Sequence, residues 1–151
     1  MRLFGLSEAD ARDQMASTYL GRLRMASRGR DMAADSITQQ HYDAAQEYLK
    51  VYEAFQRAIK SPDALRSATG GGSGAESDGY ADWCKTAVRR HENAIKAIRE
   101  AQEAHRGANL YAALDYIVVR NEQHPHMIGD CRLALNALSH HFGLCGKRKA
   151  A

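Results

Sequence analysis

Proline is nearly absent: Pro62 and Pro125 are the only 2 in 151 residues. Long stretches are therefore free to run as uninterrupted helix. Cysteine is scarce and odd in number. Cys84, Cys131 and Cys145 show no C-x-x-C spacing, which argues against a disulfide framework and for a reducing, cytoplasmic setting. No apolar run approaches the roughly eighteen residues that a membrane span needs, so no membrane partner is expected. The opening Met1-Arg2-Leu3-Phe4-Gly5-Leu6 turns polar at Ser7 and is too short for a secretory signal. Charge of one sign is also missing. The 21 basic and 18 acidic side chains leave a net +3, shared evenly between the two halves of the chain, so composition alone names no polyanionic partner.

What is present is three-four spacing. Ser7 is a candidate N-cap, and Met15, Tyr19 and Leu23 form an i, i+4, i+8 stripe. They predict a first helix over residues 7–28 that breaks at Gly29. Ser36 with Gln39 makes a capping-box pattern that opens a second helix over 36–60. Its apolar side carries Tyr42, Ala45, Leu49, Tyr52 and Ile59, and Pro62 stops it. Residues 66–79 hold five glycines and three serines and read as a flexible loop. They lack the lysine and hydroxyl of G-x-x-x-x-G-K-[ST], so nucleotide binding is rejected.

The third and longest helix spans 80–106, with Cys84, Val88, His91, Ile95, Ile98 and Gln102 in line and Gly107 at its end. Asn109 caps a helix over 109–119. A last helix over 127–142 buries Ile128, Cys131, Leu135 and Leu138 before Gly143, and residues 143–151 form a basic tail. No segment alternates as a strand would. The expected fold is all-α: a single domain and a compact five-helix bundle. Its core is a long central antiparallel pair, 36–60 against 80–106, and the last two helices form a short C-terminal pair.

Chemistry is sparse. The 7 histidines invite a metal reading, with His124, His126, His140 and His141 near Cys131 and Cys145. Their spacing fits no zinc motif, and a histidine pair at a helix C-terminus is accounted for by the helix dipole. No metal and no cofactor are expected. Cys84 and His91 lie seven residues apart on one helix, roughly 10 Å in rise, too far for a nucleophile to meet its base. No catalytic residue is assigned and no enzyme is expected. Two basic clusters remain: Arg22, Arg24, Arg28 and Arg30, and the tail residues Lys147, Arg148 and Lys149. Either suits phosphate contact, and either suits a plain solvated surface. Trp83, the 1 tryptophan, is a candidate partner-binding anchor or packs on the second helix.

Two stretches together resemble a known family. Ser36-Ile37-Thr38-Gln39-Gln40-His41-Tyr42-Asp43-Ala44-Ala45-Gln46-Glu47-Tyr48 is similar to the I-(S/T)-x-x-(Q/H)-Y-D-A-(G/A)-x-x-Y segment of small alphaproteobacterial and phage-borne helical proteins. Arg132-Leu133-Ala134-Leu135-Asn136-Ala137-Leu138-Ser139-His140-His141-Phe142-Gly143 resembles the ending of the same family. In fuller members that ending looks like the helix-turn-helix of sigma-factor-like regulators. The resemblance implies a DNA-binding or transcription-related role, with Arg132 and Asn136 placed to reach base edges. The chain departs from that pattern between its last two helices, where about seven residues replace a further short helix.

The leading expectation is a phage or prophage-type nucleic-acid-associated protein, a regulator or a DNA-packaging accessory such as a small terminase subunit. It would hold duplex DNA through the arginine cluster, Arg132, Asn136 and the tail. The alternative is a helical protein–protein adaptor, or a phage-encoded inhibitor of a host system, bound to a host or phage protein through an exposed helix face. A zinc-stabilised module ranks third. Because apolar stripes can be shared between chains, a homodimer or higher oligomer is plausible on the same grounds.

Overall fold

The structure is a computed structural model and describes residues 14–30, 33, 35–60 and 75–144. Five α-helices and no strand occur among them. Helix α1 is Tyr19–Ala26, α2 is Gln39–Lys60 and α3 is Ala75–Ala104. Helix α4, Leu110–Ala113, widens without a break into a π-helical stretch, Leu114–Val119, and α5 is Ile128–His141. Single 3-10 turns, Gln14–Ser17 and Pro125–Met127, precede α1 and α5. The fold is the expected all-α bundle. Helices α2 and α3 run antiparallel, since Ala58 packs near Cys84 and Ala87 while Phe55 meets His91. No described helix is long and apolar enough to cross a membrane.

The boundaries differ from the sequence expectation in five places, each with a physical reason. The single helix over 7–28 is interrupted at Thr18, which is extended (φ −122°, ψ 155°) and accepts the Gly21 N–H on its hydroxyl at 3.0 Å. The 3-10 turn crosses so close to α1 that a Cβ on Gly21 would stand 1.9 Å from the Met15 carbonyl oxygen, so only glycine fits. Ser7 lies outside the described residues. Helix α2 begins at Gln39 rather than 36, because Ser36 spends its hydroxyl on the Ala33 carbonyl at 2.8 Å. Its capping box is built from Thr38 and His41 instead.

Helix α3 starts at Ala75, inside the expected 66–79 loop, and residues 66–74 lie outside the described residues. Gly79 costs a helix interior about 1 kcal/mol relative to alanine, and the packing of the turns that follow carries that cost. At its far end α3 stops at Ala104 rather than 106. There the Gln102 side chain donates to the carbonyls of His105 and Ala108 and accepts the Leu110 N–H at 2.8 Å, which turns the chain directly into α4. The α-helix expected to 119 becomes π-helical from Leu114, where Arg120 N–H reaches back five residues to the Asp115 carbonyl at 2.8 Å. The β-branched run Ile117-Val118-Val119 is a poor α-former and sits in that wider coil. Two ends match: Asn109 caps α4 by accepting the Ala112 N–H at 3.1 Å, and Gly143 (φ +73°) closes α5 with paired Leu144-to-Ser139 and Gly143-to-His140 backbone bonds.

The body of the bundle has one core, in which Tyr19, Leu20 and Ile37 meet Tyr48 and Ile98, closed by Leu110, Leu114 and Ile117 and by Cys131, Leu135 and Leu138 of α5. A second, smaller cluster joins only α2 and α3: Ala58, Cys84 and Ala87, flanked by Ala54 and Val88. Among the described residues the long pair thus outruns the helices that pack on it. Residues 51–60 and 79–91 project as a two-helix arm with little apolar mass between them. Local stability follows buried contact, so amides of 51–58 and 84–88 should exchange with solvent faster than those of 94–98 and 131–138. Native-state hydrogen exchange checks this, and uniform protection along α3 would contradict it.

Candidate interaction surfaces

The cations selected from the sequence divide into inward and outward sets. Arg22, half-buried, donates from Nη1 to the Ala16 carbonyl at 3.1 Å, and Arg24 donates to the Ile37 carbonyl at 3.2 Å. Both stitch the chain on either side of α1. Arg28 and Arg30 face outward. Arg28 touches the Met15 sulfur at 3.8 Å, and Arg30 pairs with Asp35 at 3.2 Å while remaining 58 % exposed. Lys147, Arg148 and Lys149 lie outside the described residues.

Arg132 and Asn136, one turn apart on α5, are engaged within the chain. Arg132 donates to the Ala33 carbonyl, and Asn136 Oδ1 accepts from His41 Nε2 at 2.7 Å. One turn further, Ser139 Oγ accepts from Gln40 Nε2 at 2.7 Å. This polar face of α5 borders the entry to α2, and Arg132 and Asn136 each spend one polar atom on it, Asn136 remaining exposed. A polar helix face looks the same in sequence whether it meets water or a neighbouring segment.

His41 is the residue that sequence reasoning passed over. It is buried, and its Nδ1 accepts the Thr38 N–H at 3.1 Å while its own N–H donates to Thr38 Oγ1 at 3.2 Å. This is a reciprocal capping box with histidine in place of the usual glutamate or glutamine. Because Nδ1 must accept, Nε2 carries the proton and donates to Asn136, so the tautomer is set by its two neighbours. A threonine three residues ahead of a histidine at a helix start is the signal that would have found it.

The arm presents the other surface. Core positions on α3 run Cys84, Ala87, Ala94 and Ile98; Trp83 is one residue off that line, about 100° around the helix. It is 39 % exposed and stacks on Tyr80, itself 38 % exposed, with ring centroids 5.6 Å apart and planes at 23°. Ile59, toward the same end of the arm, is 51 % exposed. Trp83 forms one wall of a shallow groove of about 170 Å³ whose floor is Val51, Ala54 and Ala87, with Glu47, Lys50 and Arg90 at its rim. On the opposite side of the arm Phe55 lies flat on His91, centroids 3.9 Å apart and planes at 5°, with Tyr52 tilted against the same ring at 6.2 Å.

No group of three histidine, cysteine or carboxylate side chains converges as metal ligands would, among the described residues. His124 pairs with Glu122 at 2.9 Å and Arg120 with Asp115 at 3.0 Å, so this charged cluster is spent on local contacts. Cys84 and Cys131 are both free and buried, and burial pushes the Cys131 thiol up to about 12, far from a reactive thiolate. Comparison with protein-family models, curated proteins and solved structures finds no match for this chain.

Two outcomes follow from these sites. His41→Ala removes both the acceptor for Thr38 and the donor to Asn136, and should lower the unfolding free energy by about 2–3 kcal/mol in urea. Asn136→Ala breaks only the second bond and should cost about 1 kcal/mol. Equal losses would show that the capping half is idle. Burial holds the His91 imidazole below its usual 6.5, with Glu92 acting the other way. The unfolded chain therefore takes up that proton first, and stability falls as pH drops below about 6.5. In His91→Gln that part of the slope should vanish, read from urea midpoints at about pH 7.5 and 5.5.

Proposed function

We propose that this chain is a helical interaction module whose working surface is the α2–α3 arm. One observation carries the reading. Beyond the body the pair keeps Ile59, Tyr80 and Trp83 in water at one end, beside an apolar-floored groove that no other described helix covers. Single exposed apolar residues are ordinary, but aromatic anchors beside a hollow are the usual form of an interface hot spot. The bonds that Arg132 and Asn136 make within the chain support the same choice, since they occupy part of the donor and acceptor set a base reader would use. The proposal keeps the cytoplasmic setting expected from the odd, unspaced cysteines.

A second reading, association with nucleic acid, is supported by Arg28 and Arg30, which face outward and suit sequence-independent phosphate contact. The two readings separate in one pair of experiments. A photo-reactive side chain at position 86, where Thr86 lines the groove, should form protein adducts in cells, and one at position 28 should not. Fluorescence anisotropy with duplex DNA at about 50 and 200 mM salt should show no steep salt dependence. Salt-steep micromolar DNA binding that is lost in Arg28→Ala/Arg30→Ala, without adducts from position 86, overturns the interaction module.

A further inference from the structure

Resting on the interaction-module reading, we infer that the groove side of the arm is a dimerisation surface and that its occupant is a second copy of this chain. A twofold interface must be its own complement, because each patch faces its image. The groove side meets that condition in shape. Trp83 projects as a knob, and Val51, Ala54 and Ala87 form a hollow directly beside it on the same face. Two arms related by a twofold axis seat each indole over the partner's hollow, and the four helices form a short bundle.

Charge meets the condition as well. A patch of one sign repels its own image, and this rim carries both signs on different helices, Glu47 on α2 and Arg90 on α3. The twofold arrangement sets Arg90 of each copy against Glu47 of the other. Lys50, already bonded to Glu47 at 3.1 Å, keeps that carboxylate from standing alone before the copies meet.

Size decides what kind of dimer this is. The groove side is about 20 Å long and two helices, about 20 Å, wide, a projected area of about 400 Å² per copy. Twice that lies below the roughly 1,200 Å² of standard stable complexes, in the range of reversible pairs. The dimer is therefore concentration-dependent, with its midpoint in the micromolar range.

The test uses sedimentation equilibrium of the full chain from about 1 to 200 µM with Trp83 emission read on the same samples. As the only tryptophan, Trp83 reports the arm directly. A monomer–dimer equilibrium is expected, with emission moving to shorter wavelength as the indole leaves water. Trp83→Ala and Ala54→Glu should each weaken it about tenfold or more with helical circular dichroism unchanged. Glu47→Arg and Arg90→Glu should each weaken it, and the double swap should restore it. A monomer throughout, with constant emission, overturns the proposal, as does a dimer indifferent to Trp83→Ala and Ala54→Glu. The adducts from position 86 then separate the cases. Adducts to a different protein leave the interaction module standing and remove the second copy, whereas no adduct at all removes both.

Discussion

The histidine at the start of α2 holds two parts of the molecule at once. Through Nδ1 and its own backbone N–H it closes the first turn of α2 on Thr38, and through Nε2 it reaches Asn136 on α5. Its neighbour Gln40 adds the bond to Ser139, and Arg132 of α5 ties down the Ala33 carbonyl ahead of the helix. These contacts set where α5 lies across α2. That position then decides which apolar side chains share the body core and how much of the long helical pair the other described helices reach.

The arm is the consequence. Helices of 22 and 30 residues span more length than the 14 residues of α5 and the short α4 can roof. Inside the body the pair is sealed by Leu110, Leu114, Leu135 and Leu138. Outside it, alanines let α2 and α3 approach closely but offer little area to bury, and the large side chains turn outward. The same sequence choice therefore leaves the arm with a small buried cluster and its large side chains exposed.

Much of this was legible in the sequence because it is local. Three-four spacing gave the helices, and Asn109 and Gly143 marked ends that the structure keeps. The unread parts depend on groups far along the chain or on chemistry without a common signature. The break at Thr18 follows from a backbone approach over Gly21 that no periodicity reveals. Ser36 with Gln39 satisfied the usual capping pattern, yet Thr38 and His41 took the role because Ser36 is turned back onto Ala33. Gln102 fell on an apolar stripe and proved to be the polar hinge pin between α3 and α4. Trp83 stood out in the sequence as a candidate for either an anchor or a packing contact; the hollow beside it was not legible, since it requires the partner helix.

The bond between His41 and Asn136 also joins positions 95 apart in the chain. Closing so long a flexible loop carries an entropic cost of about 4 kcal/mol by the logarithmic rule, before any constant is added. Two neutral side-chain hydrogen bonds return roughly 1 kcal/mol each and cannot hold it shut. The burial of Cys131, Leu135 and Leu138 in the same core as Ala44, Ala45 and Tyr48 must supply the closing force. Apolar contact thus brings α2 and α5 together, and the polar pairs select the one alignment in which they stay.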